Sequence, residues 1–345
     1  MAGRLYQFLH AADRALENYE TGEARIAERK QVGHIGFSGY TMVKFRADGA
    51  SGSYLVTVYY AEGDRDIHDY QTTIRSHLLW LESLDRDTDL VVQRPVRSLS
   101  GDFITRVESN GNRPFLVTLL RWVDGDLVWD NYGDEAFVDL PSGILHNVGA
   151  VLGKLHRHSS HWTFPEGFTR PGGVPEDLQL DLNRLRPAAD DGRIDALGFA
   201  VLERAVSRFI EHVADMERSP RFRGLLHGDF SCGNCIVHRG GIRPIDFDWC
   251  RFGHFLADVG WCFAVNPMSP TLCRAFLNGY EQQHSLPDDH LRKIESFFIE
   301  SCIRLLSWRA MDPNEDFPTL SRFAQGACRK YLDGEPFVLE WMEDL

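Results

Sequence analysis

Apolar residues recur at two periods in this chain, and the period changes once. Leu5, Phe8, Leu9, Ala12 and Leu16 fall at three- and four-residue steps, which predicts a short amphipathic helix at the start. From Gln31 to about Val123 the runs VGHIGF, YTMVKFRA, SYLVTVYY, VVQRPV, DFITRV and FLVTLLRWV are short, rich in β-branched and aromatic residues, and separated by Gly, Asp, Asn and Ser. That texture predicts strands joined by turns. One helix interrupts them over 67–84, where Ile67, Tyr70, Ile74, Leu78 and Leu81 share a face.

After WVDGD the helical period takes over, predicting helices over 145–155, 197–216, 272–280, 291–308 and 320–331. FPEGFTRPGGVP reads as a loop by its proline and glycine content, and no internal repeat or low-complexity tract is present. The pattern predicts an α+β chain of two lobes. A strand-rich lobe spans 1–121, a helical lobe spans 122–345, and a hinge lies near Arg121 to Asp126.

Within the strand-rich lobe the alternation also sets a register. Folding YTMVKFRA onto SYLVTVYY about Ala50 and Ser51 makes opposed residues sum to 101, as in Val43 with Val58 (43 + 58) and Phe45 with Val56 (45 + 56). One face is then wholly apolar: Val43, Phe45, Ala47, Tyr54, Val56 and Val58. A slip of one residue would scatter it over both faces. Lys44 lies opposite Thr57 on the other face.

Composition narrows the function. With 345 residues, 43% hydrophobic and 25% charged, the chain is long enough for a sizeable core. A net charge of −13 argues against a nucleic-acid partner, whose phosphates demand cations. The first 30 residues lack an apolar signal block, and no run is long enough to span a bilayer, so a cytoplasmic location without membrane contact is expected. The seven cysteines, all between 232 and 328, form no disulfide framework and are expected to be reduced thiols. Monomer and homodimer are both compatible with these features.

The chemistry concentrates in LLHGDFSCGNCIVHRGGIRPIDFDWCRFGHFLADVG, residues 225–260. Asp229 precedes Asn234 by five positions (234 − 229), and Asp246 follows Asn234 by twelve (246 − 234). CIVH, a turn at Arg239 to Gly241, and IRPI predict a hairpin that returns Asp246 to the side of Asn234. Phosphoryl transfer needs a carboxylate at the acceptor hydroxyl and oxygen ligands for a divalent cation, and this spacing supplies both.

HGDFSCGN followed by IDFD resembles the signature of the aminoglycoside phosphotransferase and choline kinase family, relatives of the protein kinases, and also its bacterial homoserine kinase and stress-response kinase branch. LLRWVDGD is similar to the family's hinge, LGKLHRHS to its following helix and GFTRP to a loop of the bacterial branch. The resemblance implies a bilobal protein-kinase-like fold and transfer of the ATP γ-phosphate to a hydroxyl. It implies Asp229 as catalytic base, His227 bracing the loop, Asn234 and Asp246 as Mg2+ ligands with Asp248 as a possible second metal contact, and Asp258 holding the loop backbone. Adenine would meet the hinge at Arg121, Trp122 and Val123. The acceptor stays open between an antibiotic, an amino alcohol and a protein serine.

The chain departs from that pattern where the family has a strand lysine paired with a helix glutamate. The lysine position is Thr57 and the glutamate position is His77. Two readings stay open: Lys44 reaches the phosphates from the neighbouring strand, or the nucleotide site has decayed and the protein binds without transfer. Gly33, Gly36 and Gly39 fit a turn over phosphates, or a plain hairpin. Cys232 and Cys235, at Cys-x-x-Cys spacing without a second pair, are read as incidental, and His156 as a packing residue. Acidic residues such as Asp177, Asp181 and Asp288 would favour a cationic acceptor if they line its pocket.

Overall fold

A computed structural model describes residues 2–21, 23–27, 33–37, 40–61, 67–109, 113–128, 140–172, 175–216, 219–266, 268–311 and 316–339. The chain divides into two compact units, one of Met1–Asp124 with Thr163–Arg170, the other of Gly125–Trp162 with Pro171–Leu345.

The first unit begins with helix α1 (Ala2–Leu16), followed by β1 (Arg25–Ile26), β2 (Gly33–Phe37), β3 (Tyr40–Gly49), β4 (Gly52–Ala61), α2 (Ile67–Asp87), β5 (Pro95–Val96), β6 (Ile104–Val107) and β7 (Phe115–Arg121). These strands make one seven-stranded sheet in the order β1-β3-β4-β7-β5, with β2 on β3 and β6 on β7. The β3–β4 register pairs Val43 with Val58, Lys44 with Thr57 and Phe45 with Val56, the arrangement that the alternation predicts. Its apolar face, continued by Phe115, Val117 and Leu119 of β7, is buried against Phe8, Ala12, Ala15 and Leu16 of α1. Burial of that stripe is what holds the first helix, since helices of this length gain most of their stability from packing.

The opposite face of the sheet serves α2: Tyr59 of β4 meets Tyr70 of α2 edge to face at 5.7 Å. Lys44, Thr57 and Thr118 form one continuous row on this side. Their exposures are only 8%, 1% and 1%.

The second unit contains β8 (Asp126–Leu127), α3 (Ser142–His161), α4 (Pro175–Asp190), α5 (Ala196–Ala214), β9 (Arg223–Leu226), β10 (Cys235–His238), β11 (Gly241–Pro244), β12 (Arg251–His254), α6 (Leu256–Val265), α7 (Pro270–Glu281), α8 (His290–Met311) and α9 (Phe317–Asp333). Two of its helices were not predicted. The α4 helix begins at Pro175 and carries Pro187 inside it, so its composition reads as loop. The α6 helix is buried on nearly every side, which leaves no periodic stripe to read.

Helices α3 and α7 touch backbone to backbone. A Cβ at Gly149 would stand 1.9 Å from the Phe276 carbonyl oxygen, and one at Gly279 would stand 1.9 Å from that of His146. The close crossing brings His156 of α3 beside Tyr280 of α7. Among the described residues, no helix is long and apolar enough to cross a membrane.

Candidate active site

Two small sheets in the second unit position the acidic residues. β9 pairs antiparallel with β12, Leu226 against Arg251, which places the His-Gly-Asp segment and the start of α6 together. β10 pairs with β11, Cys235 against Pro244 through His238 against Gly241. Arg239 and Gly240 both adopt positive φ, 50° and 79°, as the tight turns of two-residue hairpins require. The hairpin closes at its base where the Ile245 N–H donates to the Asn234 carbonyl at 3.0 Å, so Asp246 returns next to Asn234.

Gly228 is the pivot of the loop. Its φ is +83°, and a Cβ there would lie 2.1 Å from the Trp249 carbonyl oxygen. Gly228→Ala should therefore cost about 2 kcal/mol or more of stability and abolish turnover, read by melting temperature and ADP release. A variant that melts and turns over like the parent would rule out this backbone path.

Asp258, buried at the first turn of α6, anchors that path: it accepts the N–H of His227 at 2.8 Å and of Gly228 at 2.9 Å. It also accepts His156 Nε2–H at 3.1 Å, while Tyr280 donates its hydroxyl to His156 Nδ1 at 2.8 Å. Burial alone would push the Asp258 carboxyl up, but these donors outweigh it and hold the group below its ordinary value. Burial keeps His156 neutral, which suits one ring nitrogen donating and the other accepting. The ring also stacks on Phe255 at 4.4 Å, so His156 packs as expected and bonds as well.

His227 bridges the two acidic motifs. Its Nε2–H donates to the Ile245 carbonyl at 2.9 Å and its Nδ1 accepts the Asp229 N–H at 3.3 Å. Its ring lies 4.6 Å from that of Phe247. Among the described residues both hydrogen bonds of the ring are to backbone.

Asp229 itself is held at both oxygens. Trp261 Nε1–H donates to Oδ1 at 2.9 Å, and Asn234 Nδ2 donates to Oδ2 at 2.9 Å and to the Asp229 carbonyl at 2.8 Å. Burial, reinforced by the negative charge of Asp246, pushes the Asp229 carboxyl up to about 6 despite those two donors. Asp246 sits in the left-handed region at φ 66° and ψ 62°, a strained conformation for a residue with a side chain. Asp248 follows within the 3-10 turn Phe247–Trp249.

Trp261 is the functional residue that sequence reasoning did not find. It follows Asp258 by three positions (261 − 258), so it lies one helical turn on, and this was the available signal. Its ring packs at 5.7 Å on Trp308 of α8, which in turn lies 6.3 Å from Trp249.

The donor set suits a hard cation. Asp229 and Asp246 are close enough for one charge to perturb the other, and Asn234 spends its N–H groups on Asp229, with no hydrogen bond to its side-chain oxygen among the described residues. Oxygen donors of this kind fit Mg2+ or Ca2+. Cys232 and Cys235 are both buried, burial pushing the first thiol up to about 12 and the second well above its ordinary value, so neither favours the thiolate that zinc needs. Among the described residues no group of three or more His, Cys, Asp and Glu side chains gathers into a metal nest.

In the first unit, Arg121 Nη1 donates to the Ser51 carbonyl at 2.6 Å and to the Tyr54 hydroxyl at 2.9 Å, bracing the β3–β4 turn. Trp122 donates its backbone N–H to Ser53 at 3.0 Å and carries Arg46 over its ring at 4.8 Å. Val123 is buried. His77, at the position where the family's helix glutamate would stand, is also buried. Gly33 and Gly36 fall in β2 as a hairpin strand, with Gly33 opposite Lys44, and Gly39 lies outside the described residues.

The model of the APH family, described as a phosphotransferase enzyme family, matches residues 38–294. Among solved structures, the chain is similar to the amicoumacin kinase hAmiN, solved in complex with AMP-PNP and Ca2+, at 18% identity and a TM-score of 0.71 over 97% of this chain and 96% of that one. A microcompartment-associated aminopropanol kinase is similar at 20% identity and TM-score 0.69 over 95% and 99% of the two chains. A choline kinase from Cryptosporidium parvum is similar at 13% identity and TM-score 0.59 over 91% and 93%. A search of curated proteins found no match.

Proposed function

The chain belongs to the phosphotransferase enzyme family, and from that premise we propose that it is an ATP-dependent small-molecule kinase with Asp229 as its base. The reading rests on one observation above the rest: a carboxylate with each oxygen held by one side-chain donor, its pKa raised to about 6 chiefly by burial and then by the nearby charge of Asp246. A base with that pKa is ionised at neutral pH yet accepts a proton readily.

In the reaction, the acceptor oxygen bonds to phosphorus, the bond from phosphorus to the departing ADP oxygen breaks, and the acceptor's proton passes to Asp229. Trp261 and Asn234 keep the carboxylate aimed. Asn234 and Asp246 would hold Mg2+, with Asp248 as a further oxygen donor. Bound there, the ion would offset charge on the phosphates. His227 is a positioning residue, tying the Asp229 backbone to the strand end that carries Asp246. On the nucleotide side, Lys44 and Thr57 serve the phosphates, while adenine meets the hinge backbone of Arg121, Trp122 and Val123. Since the Trp122 N–H is taken by Ser53, the N–H of Val123 is the group offered to the base.

The test is ADP release from Mg-ATP against hydroxyl compounds including 3-amino-1-propanol, choline, homoserine and an aminoglycoside, with a protein-only control for autophosphorylation. At least one compound should raise release well above the control. The ionised base predicts kcat/KM rising from pH 5 to 7 through an acid limb near 6 and flat just above it. Release that no compound stimulates, or that ends on the protein itself, would refute a small-molecule acceptor.

A further inference from the structure

The first unit holds a polar pocket of about 340 Å³ that none of the proposed chemistry uses. It lies at the outer edge of the sheet. Gln71 and Arg75 of α2, Arg106 of β6, and Ser98, Ser100 and Asp102 of the β5–β6 connection line it. The volume falls in the range of small-molecule sites.

The two guanidiniums set this pocket apart. Among the described residues neither the Arg75 nor the Arg106 guanidinium makes an ion pair or a hydrogen bond. Several arginines elsewhere in the chain pair with carboxylates: Arg46 with Asp48, Arg86 with Asp87, Arg97 with Glu82 and Arg193 with Asp191. In a chain with 50 acidic against 37 basic residues, two unpaired arginines in one concavity run against the balance of charge. The one acid among the lining residues, Asp102, accepts from the Ser100 hydroxyl at 3.3 Å, and that hydroxyl bonds Ser98 at 2.9 Å, so these side chains present an ordered row of oxygens.

We propose that this pocket binds a small phosphomonoester, its phosphate gripped by Arg75, Arg106 and Gln71 and its hydroxyl groups facing the Ser98–Ser100–Asp102 row. Guanidinium forks match phosphate oxygens two at a time, which a lone lysine cannot do. The Ser98–Ser100–Asp102 row favours a phosphorylated polyol over phosphate alone. Because two of the three phosphate contacts come from α2 and one from β6, the bound ligand ties that helix to the sheet edge. The site stands apart from the phosphotransferase reading and does not depend on it.

The experiment is a thermal-shift titration of the full chain with glycerol 3-phosphate, inorganic phosphate and, as a neutral control, glycerol. Glycerol 3-phosphate should give a saturable shift, inorganic phosphate a weaker one, and glycerol none. The double variant Arg75→Met/Arg106→Met should weaken binding at least tenfold. Both side chains are exposed, so its melting temperature without ligand should match the parent. Arg106→Lys, which keeps the charge but loses the fork, should fall between. Asp246→Asn should leave the shift intact, since phosphate held at the reaction centre would respond to that change and phosphate held here would not. No saturable shift, or a shift that survives the double variant, overturns the proposal. Equal shifts with phosphate and glycerol 3-phosphate overturn the polyol part of it.

Discussion

Asp229→Asn should abolish turnover and, at pH 7.5, raise the melting temperature. Loss of a positioned base costs about 10²- to 10⁴-fold, and here the same residue also orients the acceptor, so the upper end of that range is expected. The stabilising effect follows from the position of the carboxyl. Folding raises its pKa from 3.8 to about 6, chiefly through burial and then through Asp246. The folded state therefore holds the proton more tightly than the unfolded chain, and stability declines as pH rises across that interval.

Above about pH 6 the cost is present in full, up to about 3 kcal/mol by the pKa difference. Asparagine removes the charge but keeps only one acceptor oxygen for the two donors, Trp261 and Asn234. A net gain of about 1–2 kcal/mol is expected, or a few degrees. Near pH 4 the gain should vanish, because Asp229 is then protonated in the folded protein and close to half-protonated in the unfolded chain. Melting curves of both proteins at the two pH values, together with Mg-ATP binding to the variant, decide the matter. Lower stability at pH 7.5 along with lost nucleotide binding would make Asp229 a structural residue.

Most of this arrangement was legible before any coordinates because its parts are local. The hairpin between Asn234 and Asp246 is signalled by alternation on both strands and by Arg239-Gly240-Gly241 between them, and strand pairing follows from turn length. The β3–β4 register was equally readable, since only one alignment gathers Val43, Phe45, Val56 and Val58 on a single side. Other features are not local. Trp261 reaches Asp229 because β9 and β12 pair and α6 starts where they end; its step of three from Asp258 places it on α6 one turn on, but does not encode the meeting with Asp229. The His156–Asp258–Tyr280 chain depends on helices α3 and α7 crossing at glycines, a contact between positions more than a hundred residues apart. VVQRPV was expected to be a full strand, but only Pro95–Val96 pairs, against Leu119 and Leu120. Proline has no N–H for a ladder, which limits what such a run contributes.

Lys44→Met should lower kcat/KM for ATP by about 10²-fold, equivalent to about 2.7 kcal/mol of lost transition-state stabilisation, and Thr57→Lys in the same chain should recover much of it. The argument starts from the row Gly33, Lys44, Thr57 and Thr118, which crosses four neighbouring strands. Directly opposed residues project from the same face with Cβ atoms about 5 Å apart, so a lysine at either 44 or 57 can serve one region of space. Gly33, on the far side of Lys44, adds no side chain to the row. Thr118, two places along it, carries a buried hydroxyl oxygen with no hydrogen bond among the described residues, an uncommon state that leaves a polar atom available on this face. A lysine moved one strand over would account for two departures from the kinase pattern together, a threonine at the usual lysine position and a buried lysine beside it. Rescue by Thr57→Lys separates a charge requirement from a packing requirement, because the double variant restores the cation one strand over without rebuilding the Lys44 side chain. If Lys44→Met melts like the parent and binds ATP like the parent, the lysine has no part in phosphate recognition. If it melts much lower and Thr57→Lys restores neither property, Lys44 is a core residue of the sheet.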